Sequence, residues 1–173
     1  MRNILKNRTA LSTVVTTLII LVVSVLLAGV VTYFAINVVS TRVQEESLHL
    51  TKQHVWFDVT NQTAEAAILV VNTGGRDVVL DKIAIRGQTS DWADVFYTIS
   101  SAPVTSDLTY KDAGNLTAMT NATSAITLKS GYTMSLYLAN PDSISVNDVG
   151  LTVAMSIFSS QATYYKETNV EAV

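Results

Sequence analysis

The chain has 173 residues, of which 49% are hydrophobic and only 14% charged, with a net charge of -3 and no cysteine. Without cysteine, disulfides, thiolate catalysis and Cys-based zinc sites are excluded. The first ten residues carry three cations, Arg2, Lys6 and Arg8, and no acid, so the remainder carries -6, a balance that argues against nucleic acid or an anionic membrane surface as its partner.

After the basic head Met1–Ala10, the run LSTVVTTLIILVVSVLLAGVVTYFAINVVST has no charged residue until Arg42. A cleavable secretory signal places small residues after its apolar stretch, whereas Ala10 stands before this one, so the apolar segment is expected to be retained. Leu11 to Thr41 exceeds both an ordinary signal core of about 7–15 residues and the ~20 residues that span a bilayer. The head cations place the N-terminus on the cytoplasmic side of a membrane. Charged Arg42, Glu45, Glu46, His49 and Lys52 then alternate with Val43, Leu48 and Leu50. This spacing predicts that the helix continues amphipathically to about Leu50 or Gln53. Gly29 is its one intrinsic weak point, because the first proline is Pro103. Ser24, Ala28 and Thr32 recur four apart with Gly29 beside them, a spacing that lets helix backbones approach closely and predicts helix-to-helix packing.

Beyond Lys52 the apolar period shifts toward two. His54–Thr60, Ala66–Asn72, Val78–Gly87, Val95–Ser100, Ile126–Ser130, Tyr132–Ala139 and Gly150–Ser159 are rich in β-branched and aromatic residues. Turn signals at Asn61-Gln62, Thr73-Gly74-Gly75, Gly87, Gly131 and Asn140-Pro141 separate them. Tyr164-Tyr165-Lys166 adds a last short strand. Such a series, without intervening helical patterns, predicts an α+β chain: a long hydrophobic N-terminal helix followed by an all-β antiparallel immunoglobulin-like sandwich. The expected divisions are a head of residues 1–10, a helix of residues 11–53 and a sandwich of residues 54–173. Residues 101–124, rich in Thr, Asn and Asp, form a surface excursion. Strand alternation puts Val55, Phe57 and Val59 on one face, and leaves Trp56 to pack on the long helix or a neighbouring subunit.

Three Asn-x-Thr acceptor motifs, at Asn61, Asn115 and Asn121, fall in predicted turns or in the excursion and predict N-glycosylation of an exported domain. Asn7 begins a fourth that stays on the cytoplasmic side. No Ser/His/Asp or Cys/His set is available, and His49 and His54 take structural roles, so no catalytic residues and no enzyme are expected. Asp77, Asp81, Asp91 and Asp94 lack EF-hand spacing and are turn formers, so neither metal nor cofactor is expected. Thr73-Gly74-Gly75-Arg76 lacks the ending of a phosphate loop and turns a hairpin.

Lys6-Asn7-Arg8-Thr9-Ala10, followed by Leu11-Ser12-Thr13-Val14-Val15 and the apolar run, resembles the N-terminal signature of archaeal type IV pilins, whose class III signal peptide is removed by a prepilin peptidase. The resemblance covers about the first 45 residues. It implies cleavage between Ala10 and Leu11, with Lys6 and Arg8 recognised in the leader, and a membrane precursor that becomes an extracellular filament. It also implies a homopolymer packed through its N-terminal helices and partnership with the pilus assembly machinery; no residue match separates adhesion from other pilus uses, and the use expected is surface attachment or cell contact. Bacterial pilins carry Glu at the fifth mature position; here that position is Val15, as in the archaeal pattern. Archaellins share the architecture with a more Gly-rich start, and a monomeric membrane-anchored surface binding protein is the alternative from another class.

Overall fold

The structure, a computed structural model, describes residues 4–43 and 45–173, with side chains for residues 11–41, 45–112 and 114–173. The first helix, α1, spans Ile4–Val43. It therefore begins inside the predicted head, and the Ala10–Leu11 bond lies within it. It also ends before the predicted Leu50 or Gln53. The two compact units of the chain meet at Val43/Gln44 instead of at residue 53. Arg2 and Gln44 lie outside the described residues.

Helix gives way to strand because Leu48 and Leu50 are buried while His49 between them is exposed, an alternation of period two. They open β1 (Leu48–Asp58), which is followed by β2 (Thr63–Asn72), β3 (Val78–Ile85), β4 (Gln88–Thr89) and β5 (Val95–Ser100). A short helix α2 (Asp112–Leu116) interrupts the excursion before β6 (Thr120–Asn121), β7 (Ile126–Leu128), β8 (Thr133–Ala139), β9 (Thr152–Ser159) and β10 (Thr163–Ala172). Most predicted strands are present. β1 begins six residues early, and the predicted Tyr164–Lys166 strand extends through Ala172.

The strands form one curled sheet in the order β4-β3-β9-β10-β1-β2-β8-β5-β6, with β7 paired to β3. The neighbours are antiparallel except where β10 runs parallel to β1, with Val55 opposite Val170 and Phe57 opposite Ala172. The β domain is thus mixed where an all-antiparallel one was expected. Curling brings β3 and β9 over β1, β2 and β8, so Leu80, Ile83, Ile85, Met155 and Ile157 share one core with Val55, Phe57, Ile68, Val70 and Leu136. That is the sandwich arrangement, two apolar sheet faces packed together.

Inward parity changes within β1. Even-numbered Leu48 and Leu50 face the core, and then odd-numbered Val55 and Phe57 do. A bulge between Thr51 and His54 in the β1–β2 register accounts for the switch, with Lys52 in the left-handed region at φ 52°. β2 is buried on both faces. Ala64, Ala66, Ile68 and Val70 face the main core. Ala67 and Leu69 join Trp56, Tyr137, Leu108 and Leu116 in a second apolar layer on the outer face. Residues 101–119 cover that layer, so the excursion is a packed cover, and Trp56 is buried by the domain itself.

The chain enters the domain through a clamp. The amides of Thr73 and Gly74 donate to the Ser47 carbonyl at 2.9 and 3.0 Å, and Gly75 N–H donates to the Glu45 carbonyl at 3.3 Å. The Glu46 carboxylate accepts from the hydroxyls of Ser159 and Tyr164. Buried Asn72 shapes the turn, donating to the Arg76 and Leu128 carbonyls and accepting from Gly74 N–H. A Cβ on Gly74 would lie 2.6 Å from the Glu45 carbonyl oxygen and 2.7 Å from Ser47 N, both backbone atoms with little room to yield. Gly74→Ala is expected to destabilise the domain by about 1–3 kcal/mol. Gly114→Ala, in α2 with nothing within 4 Å of the new Cβ, should be neutral or stabilising by up to ~1 kcal/mol. Denaturant melts of the two variants check the contrast.

Candidate functional site

Leu11–Thr41 is long and apolar enough to cross a membrane, and none of it is buried within the chain. Leu, Val and Ile side chains are exposed all round it, among them Leu11, Leu18, Leu21, Leu26 and Val30. A continuous apolar surface on every side of a helix ~45 Å long has no stable place in water. Five of its hydroxyls are already adapted to an apolar medium. Thr16, Thr17, Ser24, Thr32 and Thr41 donate to carbonyls of the preceding turn, at Ser12, Val14, Ile20, Ala28 and Asn37, with distances of 2.7–2.9 Å. Each hydroxyl thus keeps a partner without water.

Ser24, Ala28 and Thr32 follow one another at four-residue intervals along one side of α1, with Gly29 adjacent. A Cβ on Gly29 would meet nothing within 4 Å, so the fold of the single chain does not require a glycine that costs about 0.5–1 kcal/mol relative to alanine in a helix. Lys6, Arg8 and Ala10 lie in the helical backbone of α1; their side chains are outside those described. The side chain of Leu11 is exposed.

All three predicted glycosylation sites are exposed. Asn61 sits in the β1–β2 turn, where its side-chain amide donates to Asp58 at 2.7 Å. Asn121 lies in edge strand β6 and its amide donates to the Ala93 carbonyl at 2.7 Å. Asn115 lies in α2 instead of a loop. Among the described residues no group of three or more His, Asp or Glu side chains is placed to hold a metal ion. Asp77 accepts from Ser130 N–H at 2.9 Å, a turn role.

Sequence reasoning missed a polar cluster beneath the cover. Lys52, re-aimed by the bulge, donates its ammonium to the carbonyls of Val104, Thr105 and Ser106 at 2.9, 2.8 and 2.5 Å. His54 stacks on Trp56 with centroids 5.1 Å apart and lies 3.3 Å from Asp107 and 3.4 Å from Glu171. Trp56 donates to Glu171 at 3.2 Å. The carboxylate of Glu65 is buried at 3% exposure and accepts from Lys111 N–H at 3.0 Å. Burial pushes its pKa up to about 7, against the pull of the Lys111 amide and ammonium. Asp58 accepts from Asn61, Thr60 and Tyr110, and these bonds, Asn61 foremost, hold it below the usual carboxylate range. A signal was present in the sequence: Glu65 is the one charged residue of β2, set in a run of Ala, Ile, Leu and Val.

No protein-family model matches the chain, and no curated protein matches it. Among solved structures it is similar to an apo PmoF2 PCuAC domain, with 18% identity over 74% of this chain and 94% of that one and a TM-score of 0.45. It is also similar to a copper-bound PCuAC domain from PmoF2, with 18% identity over 75% of this chain and 99% of the other and a TM-score of 0.39. A third is the ligand binding region of Serine-glutamate repeat protein A (SgrA) of Enterococcus faecium, with 12% identity over 75% and 97% and a TM-score of 0.31. At these identities and TM-scores none of the three identifies a family or a function.

What the chain presents is an α+β protein: a membrane-length apolar helix joined to a mostly β domain that buries its own core. Removal of residues 1–43 is expected to leave a water-soluble domain with an unchanged β circular-dichroism spectrum, whereas the full chain should require detergent. Sedimentation of both after ultracentrifugation checks this.

Proposed function

We propose that this chain is the structural subunit of an extracellular archaeal type IV pilus that serves attachment, assembled by packing of its N-terminal helices after removal of residues 1–10. The observation that supports the reading is that Leu11–Thr41 is long and apolar enough to cross a membrane while none of it is buried among the described residues. Lipid satisfies that surface in the precursor and neighbouring copies satisfy it in the filament. The leader sequence decides between the two. Drawing an uncut head into an apolar filament core would bury Arg2, Lys6 and Arg8 at a cost of several kcal/mol per unpaired ion, so cleavage at Ala10/Leu11 permits assembly. The otherwise unrequired Gly29, beside Ser24, Ala28 and Thr32, provides a close-approach side for a second helix. Glycans on Asn61, Asn115 or Asn121 belong to the outward-facing domain. An archaellin-like motility filament uses the same helix logic.

A monomeric membrane-anchored surface binding protein is favoured only by the length of the helix, which suffices for a lone span. Electron microscopy of sheared cell-surface material, combined with mass spectrometry, separates these readings. The pilin reading expects filaments of protein beginning at Leu11, with a mass above that of the polypeptide by hexose-sized increments. A detergent-soluble monomer that retains Met1 overturns it. Ala10→Asp, and removal of Lys6 and Arg8 together, are each expected to block processing and abolish filaments; immunoblots of precursor and mature forms read the first effect and microscopy the second.

A further inference from the structure

An open groove of about 290 Å³ lies on the outer face of β5 and β8 beside residues 104–111. Thr98 and Ser135 line it and stand directly opposite each other in the β5–β8 register. Phe96 and Tyr137, the pair two residues away, belong to the outer apolar layer, so strand alternation puts both hydroxyls on that same face. Hydroxyl residues facing each other across antiparallel strands commonly share a hydrogen bond. These two make none, either with each other or with another described residue. Elsewhere in the domain such hydroxyls are engaged, Ser47 with Thr73, Ser145 with Asp148 and Thr152 with Asn169. We propose that the groove binds one ring of a neutral saccharide, held by the Thr98 and Ser135 hydroxyls and packed against Val104 and Met119.

The lining matches the two-sided chemistry of a sugar, whose ring carries hydroxyls round its edge and C–H groups on its faces. Each hydroxyl of Thr98 and Ser135 donates one hydrogen bond and accepts others, so the pair takes adjacent ring hydroxyls without a fixed donor and acceptor order. Val104 and Met119 are half-buried against the outer layer and leave apolar surface in the groove for a C–H face. Charge argues for a neutral ligand. The lining holds one anion, Asp107, and one cation, Lys111. Asp107 already accepts from Leu108 N–H at 2.9 Å and lies 3.3 Å from His54, while the Lys111 ammonium sits 5.5 Å over the Tyr137 ring. Neither sign dominates, so an ionic ligand gains no net attraction. The volume stands at the lower end of small-molecule sites, about 300 Å³, which suits a single ring. The groove is also shaped in advance, because the Lys52 ammonium holds the carbonyls of residues 104–106 and the Tyr137 hydroxyl holds that of Thr109. A preformed site loses less freedom on binding. As the contact through which the proposed pilus attaches, the groove rests on the pilin reading; its binding of a saccharide does not, so filaments without sugar binding and sugar binding without filaments tell the two failures apart.

Saturation-transfer NMR and calorimetry on the full chain, held in a detergent without a sugar headgroup, test the site. The probes are the methyl glycosides of glucose, galactose and mannose, with glucuronate and glucosamine as charged counterparts and N-acetyl-trialanine amide as a neutral peptide. At least one methyl glycoside is expected to bind in the millimolar range, and more tightly than either charged sugar or the peptide. Thr98→Val and Ser135→Ala should each weaken that binding about threefold to tenfold, the loss of a hydrogen bond. Thr127→Val, at an exposed position of β7 outside the groove, should leave it unchanged. Valine suits a strand as well as threonine does, and Thr98 is exposed, so Thr98→Val decides alone should Ser135→Ala lose its β circular-dichroism spectrum. No neutral sugar bound at tens of millimolar, tighter binding of a charged sugar or of the peptide, or an affinity unmoved by the groove substitutions overturns the proposal.

Discussion

Everything in this chain is arranged around an apolar helix that its own fold does not cover. None of Leu11–Thr41 is buried, and the sequence provides no amphipathic stripe that would let it fold back on a β domain with a completed core of its own. The free energy of hiding such a surface is proportional to its area, and only lipid or other protein can supply it. Polar atoms follow that constraint too, since the hydroxyls of Thr16, Ser24 and Thr32 bond back to the helix they belong to. A head with three cations and no acid then acts on the same helix from its end, opposing any environment that offers no counter-charge.

The β domain is the complementary half of that arrangement. Its strands bury one core between the curled faces and a second beneath residues 101–119, both built from residues of the β domain. The clamp of Thr73, Gly74 and Gly75 on residues 45–47 fixes the point at which the chain enters the domain, and a load applied to the entering chain would reach the sheet through backbone hydrogen bonds. Arg86 and Asp148, 2.5 Å apart, tie the loop between β8 and β9 to the turn that follows β3; Ser145 hydroxyl and amide bonds, with help from Arg86, hold the Asp148 carboxyl below its usual range. With so few charges, the domain's pH response is concentrated at a handful of carboxylates and the buried Glu65.

The sequence was most legible where one physical rule dominated. Charge exclusion made the long helix plain, and period-two alternation at Val78–Ile85 and Val95–Ser100 made those strands plain. It was misleading where two rules competed. Leu48, Leu50 and their charged neighbours fit an amphipathic helix as well as a strand, and the deciding interaction, the clamp from residues 73–75, is distant in sequence. The bulge at Lys52 concealed that Leu48 and Val55 belong to one strand, because local alternation restarts across it. Residues 101–119 read as surface because Thr, Asn and Asp dominate them, yet two leucines, Leu108 and Leu116, are buried with Trp56; burying each contributes about 1.5–3 kcal/mol. The parallel β1–β10 pair joins residues more than half the chain apart, and the contacts of Glu65 with Lys111 and of His54 with Asp107 span 46 and 53 residues, separations that no local pattern encodes.

The central claim is that copies of this helix cover one another in the finished assembly. Because the chain has no cysteine, a single Ala28→Cys substitution can be oxidised in intact surface material and the products separated without reduction. Disulfide formation needs Cα atoms within about 7 Å, a distance that helices meeting at the Ser24, Ala28 and Thr32 side would reach. The account predicts disulfide-linked dimers made of leader-free protein. A chain that stays monomeric under oxidation, with its Ala28→Cys thiol open to lipid-soluble reagents, contradicts it.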